Sequence, residues 1–398
     1  MRTAGIIAEY NPFHNGHAWQ IAELKKRGFE AVVCVCSPGV VQRGTAALFP
    51  ARVRTRLRWP PGRTCAQPAG TLRYAVRRGL CSGGVALLSA LGVWMLCVSA
   101  QRHGGWRISP KPQRCWKART FQQRCAALDA GLRSPPRGGG GSAVSGSRRV
   151  LRAPNDILGV EYCKALLRQH SALVPLALPR RGAAHDAPLD AAPGRYASAS
   201  ALRALVRAGG AAALAPHVPP ACLRLYMQAE AEGDILDGRA FGIAVLSRLR
   251  AMDAAGLRAV RGAAEGLENR LAAAVQGAGT LDELVQAMRT KRYATARLRR
   301  LVLDAALGYT GDLPALPPYL HVLGANETGL AVLRCARQAA LLPLSHSLAD
   351  LAARSAPAAR VAAAHAAAED LTALCLRHPA PMGAAYTAKP VFPTSGAK

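Results

Sequence analysis

Acidic residues are scarce in this 398-residue chain: 23 Asp and Glu stand against 52 Lys and Arg, for a formal net charge of +29. The shortage is local. From 51 to 150 there is one acid, Asp129, among 19 Lys and Arg, so that quarter carries +18 and the other 298 residues carry +11. A surplus concentrated in this way does not by itself argue for a nucleic-acid partner. Paired-cysteine spacing is also missing. None of the 11 Cys forms a C-x-x-C, which excludes the common zinc and redox motifs, and the odd number fits reduced, cytoplasmic thiols. Cys34 and Cys36 are expected on opposite sides of a strand.

Targeting signals and long apolar runs are absent too. The start MRTAGIIAEYNPF has too short an apolar stretch, and no small-residue cleavage site, for a signal peptide. Residues 79–101 carry no charge, but Gly79, Ser82, Gly83, Gly84, Ser89 and Gly92 interrupt them. The strongly apolar part falls short of the roughly 20 residues of a membrane span, so a buried helix and strand are expected there. What is plentiful is apolar residue, at 50%, which excludes a wholly disordered chain and allows two or three domains with a core.

The first ordered pattern is a short apolar run at 4–9, a polar turn from Asn11 to Gly16, and a helical pattern from His17 to Lys26. Trp19, Ile21, Ala22 and Leu24 supply its apolar positions, and Lys25 and Lys26 suit the negative end of its dipole. Ala31 to Cys36 then reads as a buried strand. Strand, turn, helix and strand make a β-α-β unit and predict a parallel sheet with helices on its faces. From about 200 onward the chain is Ala- and Leu-rich with helical spacing. Thr280 and Glu283 form a capping box that opens one of these helices.

The chemistry is suggested by His14-Asn15-Gly16-His17, placed where the first strand gives way to the first helix. A helix start offers unpaired backbone amides and a positive dipole end to a phosphate, and Gly16 allows close backbone approach. Two histidines there can donate to phosphate oxygens as charge develops during attack at an α-phosphorus. Read blandly, the same residues are surface histidines in a turn. Their position after the first strand favours the catalytic reading.

GIIAEYNPFHNGH resembles the N-terminal motif of the bacterial tRNA(Met) cytidine acetate ligases, a branch of the H-x-G-H nucleotidyltransferases. Similar stretches follow in order: VQRG at 41–44, FPARVRTR at 49–56, GGVALLSALG at 83–92, PNDILGVEYCKAL at 154–166, PRRGAAHDAP at 179–188 and ASASALR at 197–203. GLENRL at 266–271, TKRYATARLRR at 290–300, LGANETG at 323–329 and AKPVF at 388–392 continue the likeness.

The resemblance implies a Rossmann-like α/β nucleotidyltransferase domain of the HUP type, followed by an all-α domain. It implies domains of 1–205, binding ATP, and 206–398, binding tRNA. The activity implied is ATP-dependent acetylation of the wobble cytidine of elongator tRNA(Met) to N4-acetylcytidine. Acetate would attack the α-phosphate, pyrophosphate would leave, and the cytidine amine would attack the resulting acetyl-adenylate. ATP, with Mg2+, would lie against Ile7, Ala8, Glu9, Tyr10, Asn11, Pro12, Phe13, His14, Asn15, Gly16, His17, Ala18, Trp19 and Gln20, with His14 and His17 catalytic.

Asn155 and Arg180 match further nucleotide-binding positions of that family. Alone they read as a helix N-cap after Pro154 and as a solvated charge. Ser198, Ser200 and Arg203 match its second motif, in which hydroxyls opening a helix and an arginine one turn on clamp the leaving phosphates. Spacing alone equally suggests an N-cap and an exposed Arg. Lys291, Arg292, Tyr293, Arg297, Arg299 and Arg300 form a basic stretch with one aromatic, read as the tRNA contact; its bland reading is a solvated helix face. No DNA, membrane, metal-cluster or acetyl-CoA partner is expected, and the oligomeric state is left open.

The likeness breaks at about 57–83 and about 94–150, the same 57–150 stretch that is aberrant in texture. Segments rich in Arg, Pro, Gly, Cys and Trp and nearly free of acids are what a GC-rich coding strand yields when read out of frame. Two compensated frameshifts are therefore expected, and resequencing the gene checks them. They would cost the sheet one or two strands. Leu96 to Ala100 stand where the family has a glycine-containing turn, and Pro38-Gly39 replace its G-N pair. Two other readings stay open: a small-molecule adenylyltransferase, and a catalytically impaired RNA-binding remnant.

Overall fold

A computed structural model describes residues 1–56, 77–91, 95–101, 154–179 and 196–392. Arg180 and most of the 57–150 stretch lie outside them. Four strands, β1 (Thr3–Ala8), β2 (Ala31–Cys36), β5 (Met95–Gln101) and β6 (Val174–Pro179), form one parallel sheet in the order β2-β1-β5-β6. Between β2 and β5 come a small antiparallel hairpin, β3 (Val40–Val41) and β4 (Thr45–Ala46), and the short helix α2 (Ala51–Thr55).

Helix α1 (Asn15–Lys26) connects β1 to β2, as the β-α-β reading predicts. Helix α3 (Arg77–Ala90) precedes β5, and α4 (Pro154–Arg168) precedes β6. The helix and strand expected within 79–101 are present, so at this place the sheet keeps its strand. Met95–Gln101 pairs with both β1 and β6, because an apolar run such as Met-Leu-Cys-Val suits a central parallel strand, whatever reading frame produced it.

Both faces of the sheet are covered. On one, Ile6, Val32, Cys34 and Cys36 pack with Ile21 and Leu24 of α1, with α5 (Ala199–Gly209) through Leu202 and Val206, and with Tyr226 of α6 (Pro220–Ala231). On the other, Ile7, Val33 and Val35 meet Val85 and Leu88 of α3 and Tyr162 and Leu166 of α4. Cys34 and Cys36 thus share a face, which corrects the expectation of opposite sides. Side chains alternate along a strand with period two, so residues i and i+2 point the same way. Cys34, Cys36, Cys81, Cys163, Cys222, Cys335 and Cys375 are free.

Two glycines explain why α3 sits so close. A Cβ on Gly5 would lie 2.7 Å from Leu88 Cδ1, and one on Gly84 would lie 2.6 Å from Ile7 Cδ1. Strand and helix each give up a side chain so that the other's branched residue can fill the gap.

The second half is helical: α7 (Gly238–Arg250), α8 (Ala254–Ala259), α9 (Leu267–Gly277), α10 (Leu281–Ala287) and α11 (Thr295–Ala306) surround one core with Val245, Leu271, Leu284 and Leu301. Thr280 and Glu283 make the expected capping box at the start of α10. Val40 and Ala46 of the small hairpin also enter this core.

The segment β7 (Leu320–His321), α12 (Glu327–Ala339) and β8 (Leu344–Ser345) returns to the sheet, where Val332, Leu333 and Ala336 pack against the Val33 face. Helix α5 runs through residue 205. The short α13 (Leu348–Ala352) and the long α14 (Ala356–Leu374) follow, and Ala368 and Leu371 of α14 reach the helical core. Among the described residues no helix is long and apolar enough to cross a membrane.

Candidate nucleotide-binding site

In an open parallel sheet a ligand sits beyond the carboxyl ends of the strands, where the strand order reverses. Here that place is the end of β1, between β2 and β5. The loop leaving β1 carries Glu9 to His14, and most of it is buried. Tyr10 takes the left-handed φ of +46° and Asn11-Pro12 is cis. Packing holds Tyr10 in that strained backbone: its hydroxyl meets Cys34 Sγ at 3.2 Å, and its ring stands edge-on to Phe13 and His17 at 5.2 and 5.0 Å.

His14 is the N-cap of α1. Its Nδ1 accepts from the Gly16 amide at 3.0 Å, while its own amide donates to His17 Nδ1 at 3.3 Å. The two rings lie 3.9 Å apart between centroids. A ring nitrogen that accepts carries no proton, so each imidazole bears its proton on Nε2. The cap therefore fixes the tautomer in which the outer nitrogen of both histidines is a donor.

The same cap alters one expectation. The amides at the helix start are already engaged: Asn15 donates to the His217 carbonyl at 2.8 Å, Gly16 to His14, and His17 to the His14 carbonyl at 2.9 Å. They are not the open anion site read from the sequence, because the His14 imidazole and the carbonyls of His14 and His217 already accept from them.

Gly16 is required for that geometry, since a Cβ would lie 2.8 Å from His14 Cε1 and 3.0 Å from its Nδ1. Gly16→Ala is expected to push the imidazole off the cap. It should cost about 1 kcal/mol of stability in urea titration and weaken ATP binding in calorimetry.

Three long-range contacts hold the loop. Arg203 Nη1 donates to the Asn11 carbonyl at 2.8 Å, and Asn11 Oδ1 accepts from the Leu48 amide at 2.8 Å. Tyr226, stacked on Phe49, takes the Phe13 amide on its hydroxyl at 2.9 Å. Ser198, fully buried, caps α5 by accepting from Ala201, and its Oγ meets Ser200 Oγ at 3.1 Å. The second motif is thus joined to the first through Arg203. Glu9 Oε1 accepts from the Gln42 amide at 2.6 Å; burial pushes its carboxyl up, opposed by that amide and by Arg203, Arg54 and Arg43.

Other expected residues are placed differently. Helix α4 begins at Pro154, so Asn155 lies one residue inside it rather than at its cap. Arg180 is outside the described residues. In the basic stretch, Arg292 pairs with Glu265 at 3.0 Å, and Arg299 approaches Asp282 at 3.5 Å. Tyr293 donates to Glu265 at 2.6 Å and lies under Arg297, 4.5 Å from guanidinium to ring centroid. Lys291 and Arg292 are exposed. Arg300 turns inward, 5% exposed, and donates to the Gln42 carbonyl at 3.2 Å, so it holds the protein together rather than facing RNA.

Sequence reasoning missed Arg54. It is 3% exposed, yet it donates to four backbone carbonyls. The FPARVRTR likeness located the segment but distinguished none of its arginines.

The family described as HIGH Nucleotidyl Transferase matches residues 1–60 and 74–381. The gap, 61–73, lies in the first block where the likeness breaks. The tRNA(Met) cytidine acetate ligase of Acetivibrio thermocellus is 28% identical over 96% of this chain and 96% of its own length. That of Latilactobacillus sakei subsp. sakei is 32% identical over 86% of this chain and 87% of its own. Among solved structures, Thermotoga maritima TmcAL in its apo form superposes with a TM-score of 0.82 at 22% identity, covering 98% of this chain and 99% of its own. The same protein bound with alpha-thio ATP gives 0.80 at equal coverage.

Proposed function

Since the chain belongs to the HIGH nucleotidyl transferase family and to the tRNA(Met) cytidine acetate ligases, we propose that it acetylates the wobble cytidine of elongator tRNA(Met) at the expense of ATP. An acetate oxygen attacks the α-phosphorus, the bond to pyrophosphate breaks, and acetyl-adenylate forms. The N4 amine of cytidine then attacks the acetyl carbonyl, AMP leaves with the bonding pair, and the amine proton passes to solvent.

One observation carries this reading. Both imidazoles of the H-x-G-H turn are held with Nε2 as donor, beside a loop that Arg203 of the second motif grips at Asn11. Donors of this kind stabilise charge as it moves onto phosphate oxygens and need no reorganisation during the step. By the resemblance, the other residues from Ile7 to Gln20, with Ser198, Ser200, Asn155 and Arg180, are assigned the remaining nucleotide contacts.

Among the described residues no group of three or more His, Cys, Asp or Glu could hold a metal ion. A Mg2+ entering with ATP is then carried mainly by phosphates and water, as is usual for this cation. Its charge would assist departure of the pyrophosphate.

The division of labour is that residues 1–205 bind ATP and residues 206–398 bind tRNA, with α5 and α12 joining the two. Lys291, Arg292, Arg297 and Arg299 supply phosphate contacts, and Tyr293 an aromatic face. A tRNA substrate places the work in the cytoplasm. Acetate-dependent ATP–pyrophosphate exchange, with and without tRNA(Met), tests the whole reading. Exchange that requires acetate supports it. Absent exchange with retained tRNA binding leaves an RNA-binding remnant.

A further inference from the structure

We propose that Arg54 and Glu369 form a positioning pair that sets the His14 loop for adenylate formation, an inference that rests on the function proposed above. Arg54 lies in α2, and its guanidinium uses four of its five N–H groups on backbone carbonyls. Nε donates to Phe49 at 3.0 Å, Nη1 to Glu9 at 2.8 Å and to Ser37 at 3.0 Å, and Nη2 to Pro38 at 2.6 Å. Glu9 follows β1 and Ser37 follows β2, so one side chain ties together the carboxyl ends of two adjacent strands. Those ends are where a nucleotide docks on such a sheet.

Glu369 reaches the same place from α14. Its Oε1 accepts from the Gly39 amide, whose peptide unit is the one whose carbonyl Arg54 holds through Pro38. The Pro38–Gly39 peptide is thereby gripped at oxygen by a cation and at N–H by a carboxylate. Gly39 has no room for a side chain, since a Cβ would stand 2.6 Å from Thr372 Oγ1 of the same helix. A helix more than 300 residues away in sequence thus holds the turn after β2 that Arg54 ties to Glu9, the first residue of the His14 loop. Charge–dipole hydrogen bonds of this kind are strong and directional where water is excluded.

Arg54→Lys keeps the charge but cannot reach four carbonyls. Glu369→Gln keeps an acceptor for Gly39 but removes the charge. Each is expected to lower kcat for acetate-dependent ATP–pyrophosphate exchange by about 30- to 100-fold, with KM for ATP changed less than about threefold, because a small misplacement of catalytic groups costs rate before binding. Amides from 10 to 18 should exchange with solvent at least about tenfold faster, while those of α7 and α10 keep their rates. A folded variant with wild-type kcat and unchanged loop exchange overturns the proposal. So does uniformly faster exchange throughout the chain, which marks a general structural role. If Arg54→Lys does not fold, Glu369→Gln decides alone. If the wild-type chain shows no acetate-dependent exchange, the proposed function fails, and the loop amides still decide whether Arg54 and Glu369 position it.

Discussion

His14→Asn and His17→Asn are each expected to lower acetate-dependent ATP–pyrophosphate exchange by ~10²–10³-fold, the loss seen when one preorganised donor to a developing anion is removed. Asparagine separates the two duties that the structure gives each imidazole. At position 14 its carbonyl oxygen can accept from Gly16 as Nδ1 does, and Asn is among the best N-cap residues, so stability should change by less than about 0.5 kcal/mol. At position 17 it can accept from the His14 amide in the same way. In neither case does it place a donor where Nε2 stands.

Exchange kinetics at saturating acetate, together with urea unfolding, read the two duties independently. Wild-type exchange by His14→Asn would reduce that histidine to a helix cap. Alanine at position 14 removes donor and cap together and should cost a further ~1 kcal/mol of stability.

Much of this site could be read from residues that are neighbours in sequence. His14 and His17 are one helical turn apart, Thr280 and Glu283 cap their own helix, and the apolar runs at β1 and β2 announce a parallel sheet through local periodicity. The supporting shell has no such signature. Arg52, Arg54 and Arg56 look alike in sequence, but only Arg54 falls on the side of its short helix that faces the strand ends.

Tyr226 and Glu369 reach the first 40 residues from 213 and 330 positions away, and no periodicity encodes a contact at that range. Arg300 shows the same limit within one motif: it points to Gln42, while Arg299 remains half-buried beside Asp282. Gly44 explains the proximity. Its φ is +79°, and a Cβ there would stand 2.5 Å from the Arg299 carbonyl carbon. The VQRG turn therefore fits against the backbone of α11, and charge pattern alone cannot tell which arginine that contact buries.

Acidification should unfold the chain earlier than its carboxylates alone would, because two histidines, one on β7 and one on α14, are buried against each other. His321 is 4% exposed and His365 3% exposed, with ring centroids 5.8 Å apart. Nδ1 of each has no hydrogen-bond partner. Burial lowers His321 to about 4 from its ordinary 6.5, with the His346 carbonyl at its Nε2 opposing the shift and the His346 charge adding to it. Burial lowers His365 to about 3, and the neighbouring His321 adds to that.

Between those values and 6.5 the unfolded chain binds protons that the folded chain refuses. The stability is therefore complete above about pH 6.5 and is lost as pH falls. At about 1.36 kcal/mol per pH unit per group, pH 5 removes ~2 kcal/mol for each histidine and ~4 kcal/mol for the pair. Glu9 and Glu369, raised by burial, act in the opposite sense as the pH falls, so the net slope is shallower than the histidine sum.

His365→Leu isolates the histidine part. Whatever its effect on stability at pH 8, it should flatten the fall in urea midpoint between pH 7 and pH 5 by at least about half, since Glu9 and Glu369 already offset part of the histidine sum. An unchanged slope would mean that His365 does not titrate on unfolding in this range. Glu369 stands one turn beyond His365 on the same helix, and through Gly39 it grips the turn after β2 that Arg54 ties to Glu9 at the start of the His14 loop. Acid loosening of α14 is therefore expected to reach the exchange reaction before global unfolding, with kcat falling ahead of the unfolding signal.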